Sequence, residues 1–325
     1  MKKIMLLLMT FCVCTMVCAC EPKPKDELKE VTLILDYVPN TNHSGIYVAQ
    51  KLGYFEAEGL KVNIIEPSDA TSTTLVGVGQ GEFGISYQED VTYALASKEP
   101  LPIKAIATVI QHNTSGFVSL KEANITSAKD FEGKVYAGWQ APSEEAVIKA
   151  VMEKEGADFS KLTMIAADGS GLASLGKSVD IYWDFEGWAT LKARMDGYDL
   201  NYIPCYELDE RLDYYTPVVI ANTKVIDEDP QTVQKFMNAM KKGYEYAIDH
   251  VDETTDIMAE VLPDYDIEFL KASQTFLSSQ YSLDSDTWGV MKDEVWDNYT
   301  SFMYEAGLIE NKITADKQYT NEFVK

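Results

Sequence analysis

The chain has 325 residues, of which 28 are basic and 52 acidic, and its formal net charge at pH 7 is −24. This balance argues against a nucleic-acid-binding protein, because binding to phosphates needs a basic face. A chain of this length, with 46% hydrophobic residues, can bury one large core or two modest ones.

The first 20 residues predict a cleaved lipoprotein signal. Lys2 and Lys3 precede an apolar run over residues 4–17, which is too short to span a bilayer comfortably. The following Val17-Cys18-Ala19-Cys20 matches a bacterial lipobox, so cleavage before Cys20 would leave its thiol to carry lipid at a membrane surface. A plain secretory signal and a short membrane anchor are the alternatives.

Cysteine and arginine are scarce in the chain that would remain. It would retain Cys20 and Cys205, and lipid on Cys20 would leave no internal disulfide. Its formal charge would be −26, with 26 basic residues against 52 acidic ones, because the leader holds two lysines and no acid. Arg194 and Arg211 are the only arginines, which disfavours a strongly anionic ligand, although a helix N-terminus could still serve one.

The elements are predicted next, in chain order. Residues 21–30 are polar, contain two prolines and predict a flexible linker. Short apolar runs then alternate with helical spacing, as in a parallel sheet covered on both faces. Strands are predicted at 31–35, 61–65, 83–87, 103–110, 117–120, 134–137, 162–166, 179–183, 200–203 and 218–221. Helices are predicted at 45–55, 71–80 and 90–97 and, after Pro230, at 231–249, 253–261, 266–280 and 286–306.

This alternation predicts two α/β lobes followed by a helical segment, with a ligand between the lobes where strand ends face each other. One stripe of the helix at 231–249 is apolar at steps of three and four and is interpreted as core: Val233, Phe236, Met237, Met240, Tyr244 and Ala247.

Motifs for catalysis or metal binding are not evident. Gly79-Gln80-Gly81-Glu82-Phe83-Gly84 matches a dinucleotide-binding string, but its glycines end a predicted helix and open a strand, which is the reverse of the required context. The three histidines, His43, His112 and His250, lack metal-like spacing. We therefore predict no catalytic residue, no metal and no cofactor.

A series of motifs resembles the substrate-binding proteins of the SsuA and thiamine-pyrimidine type, and within them the ThiY-like receptors. The series covers about residues 31–250 in order. Its segments are DYVPNTNHSGIYVA at 36–49, GYF at 53–55, EGL at 58–60, FGISYQ at 83–88, QHN at 111–113, GKV at 133–135, PSEEA at 142–146 and YWDFEG at 182–187.

This resemblance implies a type II periplasmic-binding-protein fold. The first lobe would comprise residues 31–113 and 218–325, and the second residues 114–217. It also implies a monomer that captures a thiamine pyrimidine precursor, of the hydroxymethylpyrimidine or formylaminopyrimidine type, and delivers it to an ABC permease and its ATPase. The lobes would close about two crossover strands, near residues 113–117 and 216–218.

Such a ligand is a flat, nearly neutral ring that needs aromatic faces and a few polar groups at its edge. Residues at or just beyond predicted strand ends offer both kinds of contact. Candidates for the faces are Tyr37, Tyr87, Trp139, Trp183 and Trp188. Candidates for the edge are Asp36, Asn40, His43, Gln88 and Glu186. Each aromatic could instead be core, Asp36 could orient its loop, and Glu186 could cap a helix, as Ser143 is predicted to do.

Two alternative functions remain. The same fold resembles fungal hydroxymethylpyrimidine phosphate synthase, which uses its own histidine as a substrate, and His43 falls near that position. This chain lacks the cysteine-rich run of that enzyme and carries an export signal, so we predict a protein that is not an enzyme. The other alternative is a binding protein for riboflavin, a sulfonate or another heteroaromatic molecule.

Overall fold

The computed structural model describes residues 27–324, so the lipobox and most of the predicted linker lie outside the described residues. Its strands form two five-stranded sheets, in the orders β2-β1-β3-β10-β4 and β7-β6-β8-β5-β9. The strands are β1 Lys29–Ile34, β2 Leu60–Ile65, β3 Phe83–Ser86, β4 Ile103–Thr108, β5 Ser115–Leu120, β6 Val135–Gly138, β7 Thr163–Ala166, β8 Ile181–Phe185, β9 Leu200–Pro204 and β10 Val218–Asn222. Because β1 begins at Lys29, the linker ends two residues earlier than predicted.

The helices cover the two sheets. They are α1 Ser44–Lys51, α2 Tyr54–Ala57, α3 Ser72–Gly77, α4 Gln88–Ala96, α5 Pro142–Lys154, α6 Leu191–Met195, α7 Cys205–Leu208, α8 Thr223–Glu228, α9 Pro230–Asp249, α10 Val251–Val261, α11 Ile267–Gln280, α12 Asp293–Glu305 and α13 Ala315–Gln318. A π-helical turn at Glu186–Thr190 leads into α6. Within residues 27–324 no helix is long and apolar enough to cross a membrane.

The prediction of purely parallel sheets is wrong, because both sheets are mixed. β10 runs antiparallel to β3 and β4, and β5 runs antiparallel to β8 and β9. The reason is topological. The chain leaves the first sheet at the end of β4, so β5 starts at the edge of the second sheet that faces the first sheet and runs away from it. On the return, the chain leaves the second sheet at the end of β9, so β10 starts at the facing edge of the first sheet and runs away from the second. The two crossovers thus each supply the antiparallel strand.

The predicted stripe of α9 is confirmed as core. All six of its residues are buried, in the cluster that joins α1 and α9 to the first sheet. The helix begins where the sequence indicates, since the Asp229 carboxylate accepts from the Thr232 N–H and Pro230 occupies the first helical position. The second sheet has its own core, to which Tyr299, Phe302 and Met303 of α12 also contribute. The lobe boundaries drawn from the resemblance stay a prediction.

Three predicted helices differ from the structure. The segment 45–55 is divided into α1 and α2 at Gly53, which has a φ of 72°. The segment 71–80 is helical over Ser72–Gly77 alone, and Gly79, with a φ of 81°, turns the chain toward β3. The context argument against a dinucleotide motif is therefore confirmed. The last long helix begins at Asp293 instead of residue 286, because Gly289, within the predicted helix, adopts a left-handed backbone conformation with a φ of 87°.

Candidate functional site

Three predicted residues of the first lobe form one polar cluster beyond the ends of β1 and β3. His43 is completely buried, and its Nε2 donates to Asp36 Oδ1 over 2.7 Å. Its Nδ1 accepts from the Asn40 N–H at 3.2 Å, which fixes this tautomer. The Tyr87 hydroxyl lies beside the same Asp36 carboxylate. The structure thus brings together three residues that were predicted separately as ligand contacts, a role that stays a prediction. Of the three, Asp36 and Tyr87 retain solvent-facing surface.

The cluster is electrostatically coupled. Burial alone would raise the pKa of Asp36, but the His43 imidazole and the hydrogen bonds from His43 and Tyr87 outweigh it, so the pKa lies below its usual value. Burial, and then the neighbouring Asp36 carboxylate, raise the pKa of the Tyr87 hydroxyl, which therefore stays a hydrogen-bond donor. The arrangement presents a carboxylate that is held in place and ready to accept from an N–H group.

The second lobe contributes an aromatic platform. Trp139 follows β6 and is 60% exposed, although it is one of the largest apolar side chains in the molecule. Its ring centroid lies 5.5 Å from that of Trp183, which is 8% exposed and in turn lies 5.5 Å from Phe117 in the core. A rigidly supported, exposed indole can stack on a flat ligand.

The loop that carries Trp139 is fixed by Glu144, a fully buried carboxylate in the first turn of α5. Glu144 accepts from the Gln140 N–H at 2.6 Å, from the Trp139 N–H at 3.2 Å and from the Tyr136 hydroxyl. A Cβ on Gly138 would lie 1.7 Å from Glu144 Oε1, so the glycine is required for this approach. The backbone of Trp139 is thus held in place by its hydrogen bond to Glu144.

Two contacts join the lobes on either side of these groups. In the first, Glu89 of α4 lies against Ser143 of α5, and its carboxylate accepts from the Tyr299 hydroxyl at 2.9 Å. In the second, Ser273 of α11 donates to the Gly187 carbonyl at 2.5 Å and accepts from the Thr41 hydroxyl at 2.6 Å. These contacts connect the lobe that carries the polar cluster with the lobe that carries the platform.

Several predicted residues already have partners within the protein. Gln88 is buried, with Oε1 accepting from the Tyr215 N–H and Nε2 donating to the Val295 carbonyl, so it anchors the second crossover and α12. Trp188 packs on Phe269 and Tyr265 of the α11 region, away from Trp183.

Asn40, Tyr37 and Glu186 differ in how much of each side chain remains free to contact a ligand. The side chain of Asn40 caps the turn at Thr41–His43 instead of pointing to a partner in the space between the lobes. Tyr37 is 64% exposed. Glu186 pairs with Arg194 at 2.9 Å, so one of its oxygens is engaged. The prediction that Ser143 caps α5 is wrong, because the helix begins at Pro142 and Ala141 is its N-cap.

The sequence reasoning missed three carboxyl groups near the platform: Glu89, Glu144 and Asp184. Burial raises the pKa of Asp184 to about 6, and burial also raises the pKa of Glu89 despite hydrogen bonds from Ser143 and Tyr299. A carboxyl group that is desolvated without a basic partner is a mark of a functional site. The signal was present in the sequence, since Asp184 lies inside the YWDFEG segment, between two residues that were selected.

Most of the charged residues named here are acidic. Within residues 27–324, Glu186 forms an ion pair with Arg194 and Asp36 with His43, whereas Glu89, Glu144 and Asp184 form none within 4.0 Å. Two surface cavities, of 390 and 340 Å³, lie elsewhere and contain no predicted site residue. No group of three or more His, Cys, Asp or Glu residues in the described part of the chain could hold a metal ion.

Comparison with known proteins places this geometry in a family. The model described as NMT1/THI5 like matches residues 40–254, which is most of the chain and includes both crossovers. The chain belongs to the NMT1/THI5-like family. The match includes His43 and Tyr87 of the polar cluster and the whole platform, while Asp36, Ser273 and Tyr299 lie outside it.

Relatives with this degree of similarity are named for different functions. The chain is 24% identical to the formylaminopyrimidine-binding protein of Halalkalibacterium halodurans, over 91% of each chain. It is 22% identical to the 4-amino-5-hydroxymethyl-2-methylpyrimidine phosphate synthase of Legionella pneumophila, over 90% of this chain and 92% of that one. It is 21% identical to the riboflavin-binding protein RibY of Chloroflexus aurantiacus, over 93% and 88%.

The solved structures establish the fold. The periplasmic aliphatic sulphonate binding protein SsuA of Escherichia coli superimposes with a TM-score of 0.69 at 12% identity, covering 89% of this chain and 91% of that one. The predicted two-lobed α/β fold of periplasmic binding proteins is thereby confirmed.

Proposed function

We propose that this protein is the extracytoplasmic substrate-binding component of an ABC importer, that it binds a thiamine pyrimidine precursor, and that lipid on Cys20 tethers it to the membrane. The ligand would be of the hydroxymethylpyrimidine or formylaminopyrimidine type. The observation that carries the proposal is the exposed Trp139 ring, held on Trp183 and Phe117. We propose that the Asp36–His43–Tyr87 cluster of the other lobe faces this ring when a ligand is bound.

The chemistry of an aminopyrimidine fits these two surfaces. Its flat ring would stack on Trp139, and a well-placed aromatic pair adds about 0.5 to 1.5 kcal/mol beyond the buried area. Its exocyclic amine would donate to the Asp36 carboxylate, with the free oxygen of Glu186 as a second acceptor. Contacts from both lobes favour the closed form, which the permease would recognise. The formylaminopyrimidine-binding relative supports this ligand class.

The geometry around His43 argues against the synthase activity. In that reaction the histidine is consumed, so its ring must be accessible. Here His43 has no exposed surface, and its two nitrogens are engaged by Asp36 and the Asn40 backbone. We therefore propose a binding protein and not an enzyme, in keeping with the predicted absence of a cofactor.

Riboflavin is the second candidate, because a riboflavin-binding relative aligns over 93% of this chain. Its isoalloxazine ring would use the same indole platform. Sulfonates are less suitable, since the lining is acidic and its arginine is already paired with Glu186.

The test is calorimetric titration of the mature chain with formylaminopyrimidine, hydroxymethylpyrimidine, riboflavin and an alkanesulfonate. We expect binding to an aminopyrimidine, and an affinity at least about tenfold lower in Trp139→Ala, because the stacking surface is lost. Tyr304→Ala is the matched control, since Tyr304 is 48% exposed on α12 outside the site and should leave the affinity unchanged. Binding to riboflavin alone would overturn the choice of ligand, and binding to none of the four would overturn the proposal.

A further inference from the structure

The N-terminus of α5 lies next to Trp139 and is the strongest generic anion-binding feature beside the platform. The helix has 13 residues, its N-cap Ala141 has no side chain that can accept a hydrogen bond, and its dipole favours negative charge there. A phosphate or sulfonate attached to a ring stacked on Trp139 would therefore be expected to sit at this end.

The chain itself occupies four of the backbone donors at that place. The N–H groups of Trp139 and Gln140, which point into the same loop, both donate to Glu144. Pro142 has no N–H, and the N–H groups of Glu144 and Glu145 bond to the Ala141 carbonyl. An incoming anion would thus meet the Glu144 carboxylate at the place where free backbone N–H groups would have bound it.

A second carboxylate reaches the same helix end from the other lobe. Glu89 is in the first turn of α4, directly after the Tyr87–Gln88 segment, and its carboxyl group lies against the Ser143 hydroxyl and accepts from Tyr299. It is close enough to Glu144 for the two to repel each other. Among the described residues neither glutamate has a lysine, arginine or histidine within 4.0 Å, so their charges are not cancelled by an ion pair.

We propose that Glu89 is a specificity-determining residue that, together with Glu144, excludes ligands bearing a phosphate or sulfonate from the space between the lobes. The inference rests on the proposed function and narrows it to neutral or cationic heterocycles: a pyrimidine alcohol or amine is accepted, and its phosphate ester is rejected. The position of the negative charge matters here. The anion that the N-terminus of α5 attracts is the Glu89 carboxylate, which the opposite lobe supplies.

The experiment compares the dissociation constants of hydroxymethylpyrimidine and its phosphate ester, by calorimetry, for the wild type and Glu89→Gln. Glutamine keeps the shape and can still accept from Tyr299. We expect the wild type to bind the alcohol at least tenfold more tightly than the ester, and Glu89→Gln to reduce that ratio at least tenfold. Riboflavin and its 5′-phosphate form a second alcohol and ester pair for the same comparison.

Glu145→Gln is the matched control, because Glu145 is exposed on the same helix turn and its removal changes the net charge equally. An unchanged ratio in Glu89→Gln, an equal change in Glu145→Gln, or a wild type that binds alcohol and ester alike would overturn the proposal.

A further arm separates this inference from the proposed function. If neither pair binds, the proposed ligand class fails, and inorganic phosphate then serves as the probe. Stabilisation against heat by phosphate in Glu89→Gln, absent in the wild type and Glu145→Gln, would still support the exclusion of anions. An equal response in all three would overturn it. Ser143→Ala, which keeps the Glu89 charge, should continue to reject the ester and covers the case in which Glu89→Gln does not fold.

Discussion

At the scale of single residues, Asp184 is a carboxyl group whose ionisation in a buried position destabilises the folded protein. It lies at the end of β8, accepts from the Phe185 N–H at 2.7 Å, and has no basic partner within 4.0 Å among residues 27–324. Burial raises its pKa to about 6, so the folded state holds the proton more tightly than the unfolded chain does. The stability that this proton gives is complete below the unfolded pKa of about 3.9 and is lost as the pH rises through about 6.

Asp184→Asn should therefore stabilise the protein at pH 8 by up to about 3 kcal/mol, with no gain near pH 4, because the amide carries no charge to desolvate. Asparagine can still accept from the Phe185 N–H. Urea unfolding at both pH values measures the effect, with the exposed Asp264→Asn as control. A gain that is equal at pH 4 and pH 8 would show that ionisation of Asp184 is not its cause.

Single residues also show which contacts a local sequence pattern can specify. The Asp36–His43 pair is separated by seven positions around one turn, so a local motif specifies it. Gln88 was assigned to the ligand because an amide after a strand suits a heterocycle, but its partners, Tyr215 and Val295, are more than 120 positions away. Contacts of that range depend on the packed fold, and the chain pattern carries no signal for them.

At the scale of elements, the close crossing of α1 and α9 supports the loop of the polar cluster. Gly45 and Gly243 face each other there: a Cβ on Gly243 would lie 2.0 Å from the Gly45 carbonyl oxygen, and one on Gly45 would lie 2.3 Å from the Tyr244 ring. Tyr244 also donates to the Asn42 carbonyl, next to His43. The position of His43 thus depends on a contact that only glycine allows.

Gly243→Ala should destabilise the protein by at least about 2 kcal/mol, because overpacking forces the two helices apart. Alanine has the higher helix propensity and would stabilise an unhindered site, so the sign separates the two effects. Chemical unfolding measures it, and Lys235→Ala at an exposed position of α9 should change stability by less than about 0.5 kcal/mol. Equal stability of Gly243→Ala and the wild type would contradict the close contact.

Element positions were predicted well and strand directions were not. β-Branched and apolar runs located all ten strands to within a few residues, since side-chain character is a local property. The antiparallel course of β5 and β10 follows from two passages of the chain between the sheets, and no periodicity encodes which edge a strand starts from. The resemblance, and not the pattern, predicted those crossovers.

At the scale of the whole molecule, His112 joins three segments at the passage between the lobes. Its Nδ1 lies 2.6 Å from Asp213 of the second crossover, and its Nε2 lies 3.6 Å from Asp284 of the segment before α12. The hydrogen bond with Asp213 raises the pKa of His112 against the opposing effects of burial and Lys292. The stability from the protonated imidazole is complete below about pH 6.5 and falls as the pH rises through the raised pKa.

Replacing His112 with Gln should remove a pH-dependent increment of below about 1 kcal/mol, the range of partly exposed pairs. We expect the wild type to exceed the variant in stability at pH 6 by more than at pH 9, as measured by urea unfolding. His250→Gln serves as control because His250 lies on the surface at the end of α9. A difference between wild type and His112→Gln that does not vary with pH would exclude protonation of His112 as the cause.

The Ser273 hydroxyl forms hydrogen bonds with the Thr41 side chain and the Gly187 carbonyl, and these bonds also make the contact between the lobes depend on the solvent. Separating them would leave three polar atoms that must be hydrated, so the open form takes up water that the closed form releases. Solutes that are excluded from protein surfaces would therefore shift the balance toward closure even without ligand. The balance between separated and joined lobes would then depend on the activity of water as well as on the ligand.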